Sequence, residues 1–176
     1  MSTDVRYPTG KFIEPPNWDA DDIARWRGDV AAHPALLRRV VAGLGDRQLD
    51  TSYRDAGWTV RQVVHHLVDS HVNAYCRFKL TLTEDTPTIK PYAEARWAAL
   101  ADSVTGPIEP SLAILEGLHA RWSRLLESLK SDDWHRGFIH PEHGTTFTLG
   151  RTLAMYAWHG KHHVAHIAAL RTRMEW

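Results

Sequence analysis

One cysteine in 176 residues, Cys76, excludes an intrachain disulfide and any cysteine-rich zinc finger, and fits a reducing compartment. A metal ion, if bound, must then be held by histidines and carboxylates. Long apolar runs are missing too. No stretch approaches the roughly 20 apolar residues of a membrane span, and the opening Met-Ser-Thr-Asp-Val-Arg-Tyr-Pro lacks the apolar core of a signal peptide. The expectation is a cytoplasmic protein with no membrane partner. Neither sign of charge is in excess, since Lys plus Arg and Asp plus Glu both number 21. Without a net field, nucleic acid is not an expected partner.

What the chain does have is helical periodicity. Its length fits one domain over residues 1–176. Residues 1–17 carry Pro8, Pro15 and Pro16 and no usable period, so they are expected as an extended arm laid on the domain or on a partner chain. From Asp19 onward Ile23, Trp26, Val30, Leu37, Val41 and Leu44 recur at helical spacing, with Pro34 expected to kink or divide the segment. A second helix opens at Trp58 or Thr59, buries Val60, Val63, Val64, Leu67, His71, Ala74 and Phe78, and stops before Glu84-Asp85-Thr86-Pro87. Tyr92 to Ser103 reads as a short helix, Ser111 to Lys130 as a long one, residues 131–147 as a loop or short hairpin, and Leu149 to about Arg173 as a final helix. Four main helices with few strand-like segments predict an all-α four-helix bundle.

Histidine is the unusual component. The chain has 12 His and 8 Trp, and four of the His fall in the eight residues from His159 to His166. His159, His162, His163 and His166 sit at i, i+3, i+4 and i+7, so all project from one face of the last helix. Imidazoles at i and i+4 lie on adjacent turns and can grip one ion, and both His159–His163 and His162–His166 meet that condition. Position 160 is Gly, not the Glu that a zinc protease helix places after its first His, so the general base of that reaction is missing. A third ligand must come from elsewhere, and the second helix offers His65, His66 and His71. By phase His71 falls in the apolar stripe and His65 turns toward solvent, while His66 joins Asp69, Asn73 and Arg77 in a polar band on the flank of the stripe. Such a band is where bundle helices carry interior ligands, and Asp69 is placed to orient a ligating imidazole.

These residues resemble the DinB superfamily. The pattern lies in Trp58-Thr-Val-Arg-Gln-Val-Val-His-His-Leu-Val-Asp69 and the distant His159-Gly-Lys-His-His163-Val-Ala-His166-Ile, where a His before Leu on one helix joins an i, i+4 pair on a later one. The YfiT branch is the nearer match, through Tyr7-Pro-Thr-Gly, Leu49-Asp-Thr-Ser-Tyr-Arg-Asp, Asn73-Ala-Tyr-Cys-Arg-Phe-Lys-Leu, Leu118-His-Ala-Arg-Trp122 and His140-Pro-Glu-His-Gly144. The resemblance implies a bundle of DinB topology, a cytoplasmic homodimer, and zinc or nickel on His66, His159 and His163. It also implies that His162 and His166 are neighbours of the site and not ligands.

Three neutral imidazoles leave coordination positions open, as catalytic metals require, whereas structural zinc usually takes four protein ligands. The metal could lower the pKa of water toward about 7 for hydrolysis, and the family resemblance favours a metal-dependent hydrolase of small molecules. The alternative is a thiol S-transferase of the bacillithiol or mycothiol type, in which the ion holds an external small thiol as thiolate. Cys76 is not that thiol, because it lies about 15 Å along the helix from His66. A third reading is a metal-stabilised bundle without turnover. Glu142, flanked by His140 and His143, is a candidate proton shuttle, while Trp97, Trp122, Trp134 and Trp158 read as core positions first and pocket walls second.

Overall fold

Apolar stripes at spacings of three and four become long helices in the computed structural model, which describes residues 4–176. The elements are α1 (Ala20–Val41), α2 (Asp46–Leu49), α3 (Val60–Thr83), α4 (Glu94–Trp97), α5 (Ala101–Thr105), α6 (Glu109–Glu127), a 3-10 turn at Ser131–His135, β1 (Gly137–His140), β2 (Thr145–Thr148) and α7 (Leu149–Arg173). The long helices α1, α3, α6 and α7 form a four-helix bundle, with α1 against α6 and α7, and α3 against the same two. The strands β1 and β2 pair antiparallel, Gly137 opposite Thr148 and His140 opposite Thr145.

Local chemistry sets the helix starts. Asp19 and Asp22 form a capping box at α1, and Thr59 and Gln62 form another at α3, where Oγ1 of Thr59 accepts from the Gln62 amide at 3.1 Å. Thr148 caps α7 by accepting from the Arg151 amide at 3.3 Å. Each cap satisfies backbone donors that have no partner inside the helix.

Of the kink or division expected at Pro34, the division is absent: α1 runs through it from Ala20 to Val41. A proline at this position removes the hydrogen bond from its own nitrogen to the carbonyl four residues back, that of Val30. That carbonyl finds another donor, Nδ1 of His119 on α6, at 2.7 Å. The lost backbone bond is thus replaced from a neighbouring helix.

The apolar interior comes in two parts. One holds Ile23, Trp26, Val30, Ala74, Phe78, Trp122, Leu126, Leu149 and Leu153. The other holds Leu37, Val41, Val63, Val64, Leu67, Leu112, Leu115, Ile167 and Leu170. Between Val30 and Leu37 on α1 lies His33; between Leu67 and Ala74 on α3 lies His71; between Leu115 and Trp122 on α6 lies His119. All three are buried. A layer of imidazoles therefore crosses the bundle at mid-height, where an ordinary core would place aliphatic side chains.

The described part of the N-terminal arm lies along α7 in the opposite direction. The Arg6 carbonyl meets His166 at 3.2 Å, Thr9 meets His162 at 3.4 Å, and the Gly10 carbonyl accepts from Trp158 Nε1 at 3.2 Å. Further on, Glu14 pairs with Arg151 at 2.8 Å, and a β-carbon on Gly150 would fall 2.6 Å from the Trp18 ring. The arm is packed on its own domain from Arg6 to Trp18, while residues 1–3 lie outside the described part.

Candidate metal centre

The structure brings His66 from α3 together with His159 and His163 from α7. One nitrogen from each ring lies within 4.8 Å of the others, and this is the one such group of three or more His, Cys, Asp or Glu found among the described residues. Nε2 of His66 and Nε2 of His159 stand 3.3 Å apart. Two imidazole nitrogens at the usual zinc distance of about 2.0–2.1 Å and a tetrahedral angle would be separated by about 3.3 Å. The spacing of the rings therefore fits a single ion of that class.

Helix phase explains the convergence. His159 and His163 are one turn apart, with ring centroids 4.5 Å from each other and 5.3 and 4.9 Å from His66. The Trp58 ring covers His66 at 4.5 Å and stacks toward His163 at 6.4 Å, forming a wall the sequence reading did not anticipate. Burial pushes His66 down to about 4 and, with the neighbouring imidazoles adding to the effect at these two, holds His159 and His163 well below the ordinary histidine value. At neutral pH all three rings are unprotonated, the form that offers a lone pair to a cation.

Several expectations resolve differently. His65 is not turned to solvent: it is buried against the start of α6, 2.8 Å from Ser111 Oγ and 3.3 Å from the Gly106 carbonyl. The segment containing α5 covers that side of α3, which helix phase could not foresee. Asp69 makes no hydrogen bond to an imidazole among the described residues; burial, reinforced by Asp102, raises its carboxyl to about 6. The ring that meets His159 from behind is instead His71, Nε2 to Nδ1, at 3.3 Å. Of the rest of the polar band, Asn73 spends its amide on the Asp69 carbonyl at 2.8 Å, and Arg77 is buried with Nε unpartnered.

His162 and His166 stay outside the cluster. His162 stacks on Trp158 at 4.4 Å and His166 on Tyr53 at 4.1 Å, and both face the N-terminal arm. His140 and His143 pack against Phe147 in the hairpin, and no contact brings them or exposed Glu142 to the three rings. Trp122 and Trp134 are core, as expected, whereas Trp97 is 40% exposed.

A bundle of this topology carrying three clustered histidines defines a class, and the chain belongs to the DinB superfamily, whose family model matches residues 29–167. Within it the chain is 50% identical over 173 residues to a protein of Geobacillus kaustophilus named "Putative metal-dependent hydrolase", covering 98% of this chain and 97% of that one. A Bacillus licheniformis protein of the same description is 48% identical over 172 residues, covering 98% of each. The solved structure of YfiT from Bacillus subtilis, described as "a probable metal-dependent hydrolase with an unusual four-helix bundle topology", superposes with a TM-score of 0.96 at 46% identity over 99% of each chain. No helix among the described residues is long and apolar enough to cross a membrane.

Proposed function

We propose that the chain is a metal-dependent hydrolase acting on a small molecule, with one divalent ion, Zn2+ or Ni2+, held by His66, His159 and His163. The observation that carries this reading is the convergence of three unprotonated imidazoles, those of His66 and His163 buried and that of His159 half-buried, on one point, with no carboxylate or thiolate joining them among the described residues. Three protein ligands leave room for a reactant, whereas a structural zinc would be enclosed by four. The bound ion would supply Lewis acidity at that point, acidifying water and polarising a carbonyl or phosphoryl oxygen.

The protein's own groups set the environment. Trp58 lies against His66 and stacks toward His163, and the lowered local dielectric strengthens any charge interaction made there. His66 comes from α3 and His159 and His163 from α7, two helices that pack against each other. We place the protein in the cytoplasm as a homodimer, folded as one domain over residues 1–176.

The test is to load the purified protein with Zn2+ or Ni2+ and screen chromogenic esters and amides without thiol. A parallel screen supplies a small thiol with a chromogenic electrophile. Metal-dependent turnover in the first set supports hydrolysis. Turnover confined to the second reassigns the site to thiol transfer; with Cys76 exposed on α3, the thiol would come from outside the protein. Unfolding on metal removal, with no turnover in either set, would mark a purely structural ion.

A further inference from the structure

The imidazole layer behind the three rings has a direction that hydrogen-bond chemistry determines. Nδ1 of His119 lies 2.7 Å from the Val30 carbonyl. A carbonyl only accepts, so Nδ1 of His119 carries the proton and, in a neutral ring, Nε2 is bare. Nε2 of His119 lies 2.9 Å from Nδ1 of His71. The bare nitrogen must accept, so His71 is also protonated on Nδ1 and bare on Nε2. Nε2 of His71 lies 3.3 Å from Nδ1 of His159. By the same step His159 is protonated on Nδ1, and its bare Nε2 is the atom 3.3 Å from Nε2 of His66.

Each long helix contributes one member: Val30 from α1, His119 from α6, His71 from α3 and His159 from α7. The chain starts at Val30 because Pro34, four residues on, has no N–H to occupy that carbonyl. An ordinary residue at position 34 would bond to it and leave His119 without an exclusive acceptor. His71 and His119 are 0% and 2% exposed, so water does not supply alternative partners.

We propose that Pro34, His119 and His71 are positioning elements for the site: together they fix the His159 ring as the Nδ1–H tautomer and aim its Nε2 lone pair at the ion. A ligating imidazole commonly donates its second N–H to a carboxylate or carbonyl. Here the carbonyl is reached through two further imidazoles, a carboxylate-free path suited to a dry interior, since it adds no charge. The role assigned to His71 and His119 rests on the proposed metal site, but the proton positions do not.

The experiment reads them separately. Long-range 1H–15N correlation spectra of metal-free, 15N-histidine-labelled protein should show His119, His71 and His159 all protonated on Nδ1. An Nε2–H tautomer at any of the three overturns the chain, whether or not the protein ever binds metal. Zn2+ affinity is then measured by competition with a chelating indicator. His71→Leu should weaken binding about 10–100-fold, while His71→Gln, whose amide oxygen can still accept from His159, should recover most of the loss. Equal affinity in wild type and both variants would overturn the positioning role. If His71→Leu fails to fold, the wild-type spectra and the Zn2+ affinity of Pro34→Ala, expected to fall several-fold and equal to wild type if the positioning role is wrong, still decide.

Discussion

A β-carbon added to Gly160 would sit 2.7 Å from Nδ1 of His33. Here α7 approaches α1 so closely that the ring of one helix fills the space a side chain would take on the other. His33 cannot swing away, because it is 2% exposed and its ring centroid lies 5.0 Å from that of His71 and 5.6 Å from that of His119. Gly160→Ala should therefore be destabilising, although alanine is the better helix former. Overpacking costs about 1–3 kcal/mol against a propensity gain of about 1 kcal/mol. The expected net loss is up to about 2 kcal/mol in urea unfolding of the metal-free protein, and a variant more stable than wild type would contradict this packing.

Pro34→Ala makes the opposite trade. It restores a backbone donor to the Val30 carbonyl and removes a helix-breaking residue, so thermal stability should hold or rise. The restored N–H competes with His119 for the same oxygen, so Zn2+ affinity should fall several-fold. Affinity and stability moving together in this variant would argue against a link between the proline and the site.

Acid should destabilise the metal-free protein sooner than its carboxylates alone would suggest. Burial lowers His33 to about 3 and His119 to about 4, and both would titrate near 6.5 in the unfolded chain. Below about pH 6 the unfolded state takes up two protons that the native state refuses, so stability is complete above pH 6.5 and is lost as pH falls. The slope from these two groups is about 2.7 kcal/mol per pH unit. Asp69, raised to about 6, acts in the opposite sense below that pH, but it is a single, half-buried group and offsets only part. Urea midpoints measured from pH 7.5 to pH 4.5 check this; a constant midpoint between pH 7 and pH 5 would contradict it.

The two i, i+4 histidine pairs on α7 should separate cleanly by assay. In a His162→Ala, His166→Ala double variant the arm loses its contacts at Thr9 and Arg6. Limited trypsin digestion should then cut after Arg6 and Lys11 several-fold faster, while metal content stays at the wild-type level. Unchanged cleavage would mean that the arm is held by its aromatic and ionic contacts further along, at Phe12 and Glu14.

Much of this was legible in the residues. The stripe on α3 and its start at Thr59 place that helix close to where it lies, because helix period and capping are local properties. His66, His159 and His163 were reached by combining phase with family resemblance, and the structure brings them within ligand distance of one another. That α1 runs undivided through Pro34 was not legible, because the replacement for the lost hydrogen bond comes from His119, far along the chain. The buried imidazole layer also left a trace. His119 sits within Leu112, Leu115, Trp122 and Leu126 at three-and-four spacing, as His33 and His71 sit within their own stripes. A histidine in mid-stripe on three helices is a visible signal, but which ring meets which depends on packing between helices. The same limit hid the burial of His65 and the wall formed by Trp58.

The most direct test of the metal centre is elemental analysis of purified wild type beside His66→Ala, His159→Ala and His163→Ala, with His162→Ala as the control. About one divalent ion per chain is expected in wild type and control, and its loss in each of the three variants. Metal retained in those variants, or absent from carefully handled wild type, would contradict it and return the three histidines to the structural layer behind them.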